Sequence, residues 1–163
     1  MRELLGLSEG LPVRQVEAGD VLVRESERSG ALYVLERGAL NVTRAGVTIA
    51  VISAPGSLVG ELAVLVDADH SATVTATIPS TVRVAEDGMA FLRSSPEIAL
   101  EVAKEVAQRM LGMVAYVAEL KLQETEGPGV DVMDELLARI LSWSTESADH
   151  SDNASERAPD PQR

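Results

Sequence analysis

Between Val13 and about Val84 the chain is a succession of short β-prone runs, and this patterning constrains its fold more than any other feature. Val21/Val23, Leu32/Val34, Leu40/Val42, Val47/Ile49/Val51, Thr73/Thr75/Thr77 and Val82/Val84 each place apolar or β-branched residues two apart, the period of a half-buried strand. Turn residues separate the runs at Gly19-Asp20, Ser29-Gly30, Arg37-Gly38, Ala45-Gly46, Pro55-Gly56 and Pro79-Ser80. Strands recurring every ~8–12 residues predict a β-sandwich or barrel. A short helix is expected before them, from Arg2 to Glu9, stopped by Gly10 and Pro12.

After Pro96 the period changes. From Glu97 to Glu126 there is no proline, and Val106, Met110, Met113, Val117 and Leu120 step by 4, 3, 4 and 3 residues. That is the heptad seam of a two-stranded coiled coil, so the spacing predicts a homodimer through these five side chains, the alternative being that the apolar stripes of this helix pack on the chain's own barrel. A second stripe of Ile98, Val102, Leu111 and Val114 is expected to cover the barrel. A helix of ~30 residues is ~45 Å long, more than a small barrel can cover, which favours a partner helix. Gly127-Pro128-Gly129 stops this helix, and Val132, Leu136 and Ile140 mark another that runs to about Trp143. The expected organisation is therefore a domain over 1–126 that includes the long helix, a short C-terminal helix over 127–144, and a disordered acidic tail over 145–163.

Composition excludes several functions. The 163 residues carry a net charge of −12, which repels nucleic acid phosphates and argues against DNA binding. The chain has no cysteine and two histidines, His70 and His150, so no metal site is expected. No apolar run reaches the ~20 residues that span a bilayer, and Met1–Leu5 has no signal-peptide core, so no membrane association and a cytoplasmic location are expected. No Ser/His/Asp, Cys/His or paired-carboxylate constellation stands out, and a non-enzymatic protein is expected.

The chemistry concentrates in Gly56-Ser57-Leu58-Val59-Gly60-Glu61-Leu62-Ala63 and in His70-Ser71-Ala72-Thr73-Val74. Two glycines four residues apart allow a tight turn and close approach of backbone to a ligand. The residues after Gly60 suit one helical turn, whose first N–H groups lack intrahelical partners and favour an anion. Glu61 cannot hold a phosphate, but it can accept hydrogen bonds from sugar hydroxyls. Read alone, Glu61 is also an ordinary helix-start acid, Ser71 an ordinary partner for local backbone, and Gly38 and Gly56 ordinary turn glycines.

Together these residues resemble the phosphate-binding cassette of the cyclic-nucleotide-binding domain family, Gly-Glu-Leu-(Ala/Gly) followed by Arg-(Ser/Thr)-Ala. Glu17-Ala18-Gly19-Asp20-Val21-Leu22 and Leu32-Tyr33-Val34-Leu35-Glu36-Arg37-Gly38 precede it in the family's order, and the similarity spans roughly Leu11 to Leu120. The resemblance implies an α+β chain: an eight-stranded jelly-roll β-barrel with a short N-terminal helix and a long C-terminal dimerisation helix. It implies a stand-alone regulatory module, without the family's helix-turn-helix, that binds cAMP or cGMP and signals through the dimer helix to a protein partner. Gly60, Glu61, Leu62, Ala63, His70, Ser71 and Ala72 would form the site. The family's phosphate-binding Arg is His70 here, so an imidazole of ordinary pKa near ~6.5 replaces a permanently charged fork. Arg83 and Arg44 are candidate replacements for that charge. The alternative is an interaction module of the same fold whose degenerate pocket binds no nucleotide.

Overall fold

The computed structural model describes residues 2–123. The expected helix over 127–144 and the tail over 145–163 lie outside the described residues. The chain divides into two compact units, Met1–Arg109 and Met110–Arg163.

The first unit begins with a helix, Arg2–Leu7 (α1), which ends two residues before the expected Glu9. Eight strands follow among the described residues: Val13–Val16 (β1), Val21–Val23 (β2), Leu32–Arg37 (β3), Leu40–Arg44 (β4), Val47–Ile52 (β5), Leu58–Val59 (β6), Thr73–Ala76 (β7) and Ser80–Ala85 (β8). They form two four-stranded sheets, ordered β1-β8-β3-β6 and β2-β7-β4-β5, with every pairing antiparallel. Three helices complete the described chain: Glu61–Leu65 (α2), Gly88–Arg93 (α3) and Pro96–Gln123 (α4).

Strand β3 explains why the layers stay together. Leu32, Tyr33, Val34 and Leu35 are all buried, so both faces of the strand are covered and its sequence reads as a continuous apolar run. Tyr33 and Leu35 pack with Leu22, Leu40, Val74 and Val82 between the sheets. Leu32 and Val34 face the other way, against Leu4, Leu58, Leu92, Ile98 and Val102. Each such side chain contributes roughly 1.5–3 kcal/mol of burial. The helix cluster is thereby fixed to the sheet that carries β6, and β6 leads directly into α2.

Two elements escape the strand pattern. β6 is two residues long, too short for any period to register. α3 is started by Asp87, whose Oδ1 accepts from the Ala90 amide at 2.8 Å. Tyr33 is in the core, and Phe91 is half-buried against the helix cluster. The second α4 stripe needs correction. Ile98 and Val102 are buried, but Leu111 and Val114 are exposed. Thirteen residues separate Ile98 from Leu111, a rotation of about 220° at 3.6 residues per turn, so the two cannot share a face. Of the seam residues, Met110 and Met113 are exposed, Val106 is half-buried and Val117 is buried.

Among the described residues, strand β5 is an edge strand bonded only to β4. Its Val47, Ile49 and Val51 are 64%, 58% and 64% exposed, an uncovered apolar stripe on an uncharged strand.

Candidate functional site

One cavity, of about 100 Å³, opens between the sheets beside α2. Gly60, Glu61, Leu62, Ala63, His70, Ser71 and Ala72 all line it. Val23, Val42, Ile52, Leu58, Val59 and Val74 supply apolar wall, and Arg109 completes the lining.

Gly60 joins its two ends. It sits at φ 92°, in the left-handed region, as the residue before α2. A Cβ on Gly60 would lie 2.6 Å from the Ala31 carbonyl oxygen and 3.6 Å from His70 Cε1. The position thus demands glycine twice, for conformation and for the close passage of β3's leading backbone.

At the α2 end, Glu61 is 3% exposed. Its Oε1 accepts from Arg109 Nη1, and the same arginine donates through Nη2 to Glu105 Oε1 at 2.8 Å and to the Leu58 carbonyl at 3.1 Å. The Leu58 amide donates to Glu105 Oε1 at 3.5 Å. Glu105 is itself buried, and its Oε2 has no hydrogen-bond partner among the described residues. Two buried carboxylates thus share one guanidinium. Burial pushes the Glu61 carboxyl above its usual range; Arg109 opposes that shift and Glu105 adds to it. An unsatisfied buried acceptor costs about 1–3 kcal/mol, which makes Glu105 Oε2 a conspicuous expense in so small a domain.

The opposite end is neutral. His70 is 5% exposed, and its Nε2 shares a hydrogen bond of 2.8 Å with Ser29 Oγ. The His70 amide donates to the Glu27 carbonyl at 2.9 Å, and its carbonyl accepts from the Ser26 amide at 2.8 Å. Arg28 adds exposed contacts to Asp67 and Asp69 on the same loop. Burial lowers the His70 pKa, against a rise from Asp69 and Glu27, so the ring is neutral at pH 7. The imidazole is therefore a clasp between two loops and supplies no cation to the cavity. Nor does Arg83, which donates to Glu36 at 3.2 Å and to the Leu5 carbonyl at 2.8 Å. Arg44 ends β4 and does not line the cavity.

Sequence reasoning missed Arg109 and Glu105. A signal existed: Ile98, Val102, Glu105 and Arg109 step by 4, 3 and 4, which puts a Glu–Arg pair on the buried stripe of α4. Among the described residues no group of three or more His, Cys, Asp or Glu side chains is placed to hold a metal. No described helix is long and apolar enough to cross a membrane.

Part of this chain is similar to known proteins. Residues 13–89 match the family model described as the cyclic nucleotide-binding domain. A segment of 71 residues, 44% of the chain, is 32% identical to a cAMP-dependent protein kinase regulatory subunit from Yarrowia lipolytica. It covers 19% of that protein, so the chain matches about a fifth of this curated relative's length. The catabolite activator protein of Thermus thermophilus superposes with a TM-score of 0.60 at 24% identity, over 76% of this chain and 59% of that one. A cyclic nucleotide-binding domain from Methylobacillus flagellatus gives 0.56 at 18% identity, over 77% and 84%. The fold is accordingly the cyclic nucleotide-binding one, with antiparallel sheets and a C-terminal helix.

Proposed function

We propose that the chain is a non-enzymatic regulatory module that takes a cyclic nucleotide, cAMP or cGMP, into this cavity. The observation that carries the reading is the convergence of Gly60, Glu61, Leu62, Ala63, His70, Ser71 and Ala72 on one lining, with a buried carboxylate at the end where ribose hydroxyls would lie. Glu61 would accept those hydroxyls, and Ser71 would offer its own to the cyclic phosphate. With His70 neutral, the phosphate is gripped less firmly than by an arginine fork, so affinity is modest. Arg109 occupies Glu61, so ligand entry and a shift of that arginine belong to one event, and α4 feels the occupant through it.

The output would pass along α4 into a homodimer seam of Val106, Met110, Met113, Val117 and Leu120 and on to a protein partner, with 1–126 acting as one domain. The exposed methionines at 56% and 58% suit such a contact. Sedimentation of the full chain tests the dimer.

Calorimetric titration with cAMP and cGMP tests the ligand. Glu61→Ala is expected to lose about 10- to 100-fold in affinity, the range for a hydrogen bond to a charged group. Binding undiminished in that variant would remove Glu61 from the site. No heat from either nucleotide at millimolar concentration would favour the second reading, an interaction module of the same fold, for which the neutral His70 clasp is the specific support.

A further inference from the structure

The Glu61–Arg109–Glu105 cluster is unbalanced in one particular way. Glu105 Oε1 receives two donors, Arg109 Nη2 and the Leu58 amide, while Oε2 of the same carboxylate is buried and receives none from the described residues. Arg109 is pinned at Nη2, which bonds both Glu105 and the Leu58 carbonyl of β6. Its Nη1 is committed only to Glu61. Glu105 and Arg109 are four apart on α4 and stay neighbours whatever Glu61 does. Guanidinium and carboxylate are both planar and pair most strongly with two parallel bonds. The cluster therefore holds one movable donor, one carboxylate that a ligand would claim, and one vacant acceptor beside the pivot.

We propose that Glu105 is the second seat of Arg109: when Glu61 turns its carboxylate to a ligand's hydroxyls, the freed Nη1 swings about Nη2 onto Glu105 Oε2. Glu105 is then a positioning residue that never touches the ligand. It keeps the guanidinium's charge compensated during the exchange and so makes Glu61 available. The ligand half of this statement rests on the nucleotide reading above; the sharing of Arg109 between two carboxylates does not.

Two measurements on the full chain test it. The first needs no ligand. Thermal unfolding of Glu61→Gln, Glu105→Gln and the double variant is compared with the parent at neutral pH. If either carboxylate can reseat the arginine, each single loss is partly made good by the other. The double variant should then melt at least about 3 °C below the sum of the two single losses. Additive losses would overturn the second seat, whether or not the chain binds a nucleotide. The second measurement is calorimetry with cAMP and its 2′-deoxy analogue. Glu105→Gln should weaken cAMP about tenfold and leave the deoxy analogue nearly unchanged, because only the hydroxyl draws Glu61 away from Arg109. Glu105→Asp, which keeps the charge, should recover part of the loss. Equal weakening of both ligands would mean that Glu105 merely supports the fold, and the proposal would fail. Should the parent bind neither ligand, the nucleotide reading falls, the exchange loses its trigger, and the melting cycle alone decides whether Arg109 is shared.

Discussion

The two ends of the cavity solve the same problem, burial of a titratable group, in opposite ways. At the α2 end two carboxylates are buried and share a guanidinium, and one acceptor is left without a partner. At the loop end a single imidazole is buried neutral and satisfied by Ser29. The first end concentrates charge under burial; the second is a neutral, hydrogen-bonded ring.

Gly60 is where the contrast breaks most completely, since it abuts both ends. Gly60→Ala would force a Cβ to 2.6 Å from a backbone oxygen at positive φ, and neither can yield cheaply. A loss of about 2–4 kcal/mol is expected in urea unfolding, with the m-value unchanged. A variant as stable as the parent would mean that the strand–helix junction is looser than described.

Deleting one partner at each end sharpens the contrast itself. Arg109→Ala leaves two buried carboxylates uncompensated. Because the arginine side chain is 41% exposed, we expect about 2 kcal/mol rather than the larger cost of a fully buried pair. Ser29→Ala removes two neutral hydrogen bonds, with His70 Nε2 and from the Ala31 amide, and should cost about 1 kcal/mol. Equal losses, read from denaturant midpoints, would erase the distinction between a charged and a neutral end.

The smallest effect is the pH dependence, where the ends should have opposite signs. The Glu61 carboxyl titrates above its usual range in the fold, so its contribution is complete at acid pH and is lost as pH rises through the raised value. His70 titrates below its usual value, so its contribution is present above about pH 6.5 and is lost as pH falls below that. Relative to the parent, Glu61→Gln should therefore gain stability with rising pH across the acid range. His70→Asn should gain with falling pH from about 7.5 to 5.5. Stability curves for both variants that run parallel to the parent's would show that neither group titrates abnormally.

How much of this was legible in the sequence depended on how local the cause was. The strands announced themselves because Val47/Ile49/Val51 and Val82/Val84 alternate within a few residues. The cavity lining was legible because Gly60–Ala63 and His70–Ala72 are two contiguous stretches. What decides their chemistry was not, because it arrives from afar: Arg109 lies 48 residues from Glu61, and Ser29 lies 41 from His70. A lone arginine on an amphipathic helix reads as solvent-facing, and a serine before a glycine reads as a turn. Only the folded register shows that one neutralises a buried acid and the other fixes a buried histidine. The stripe error on α4 has the same origin, since apolar residues were grouped by type across more than one face.

The bare edge of β5 bears on how this chain behaves in company. Six consecutive uncharged residues, with three large apolar side chains facing outward, form a surface onto which the same strand of another copy can add in antiparallel register. What opposes that is the net charge of −12, a long-range repulsion that acts between whole molecules rather than at the strand. Ions weaken it: the screening length falls from ~10 Å at 0.1 M salt to ~3 Å at 1 M. Light scattering should therefore find the chain better dispersed in dilute buffer than in strong salt, the reverse of a protein whose contacts are ionic.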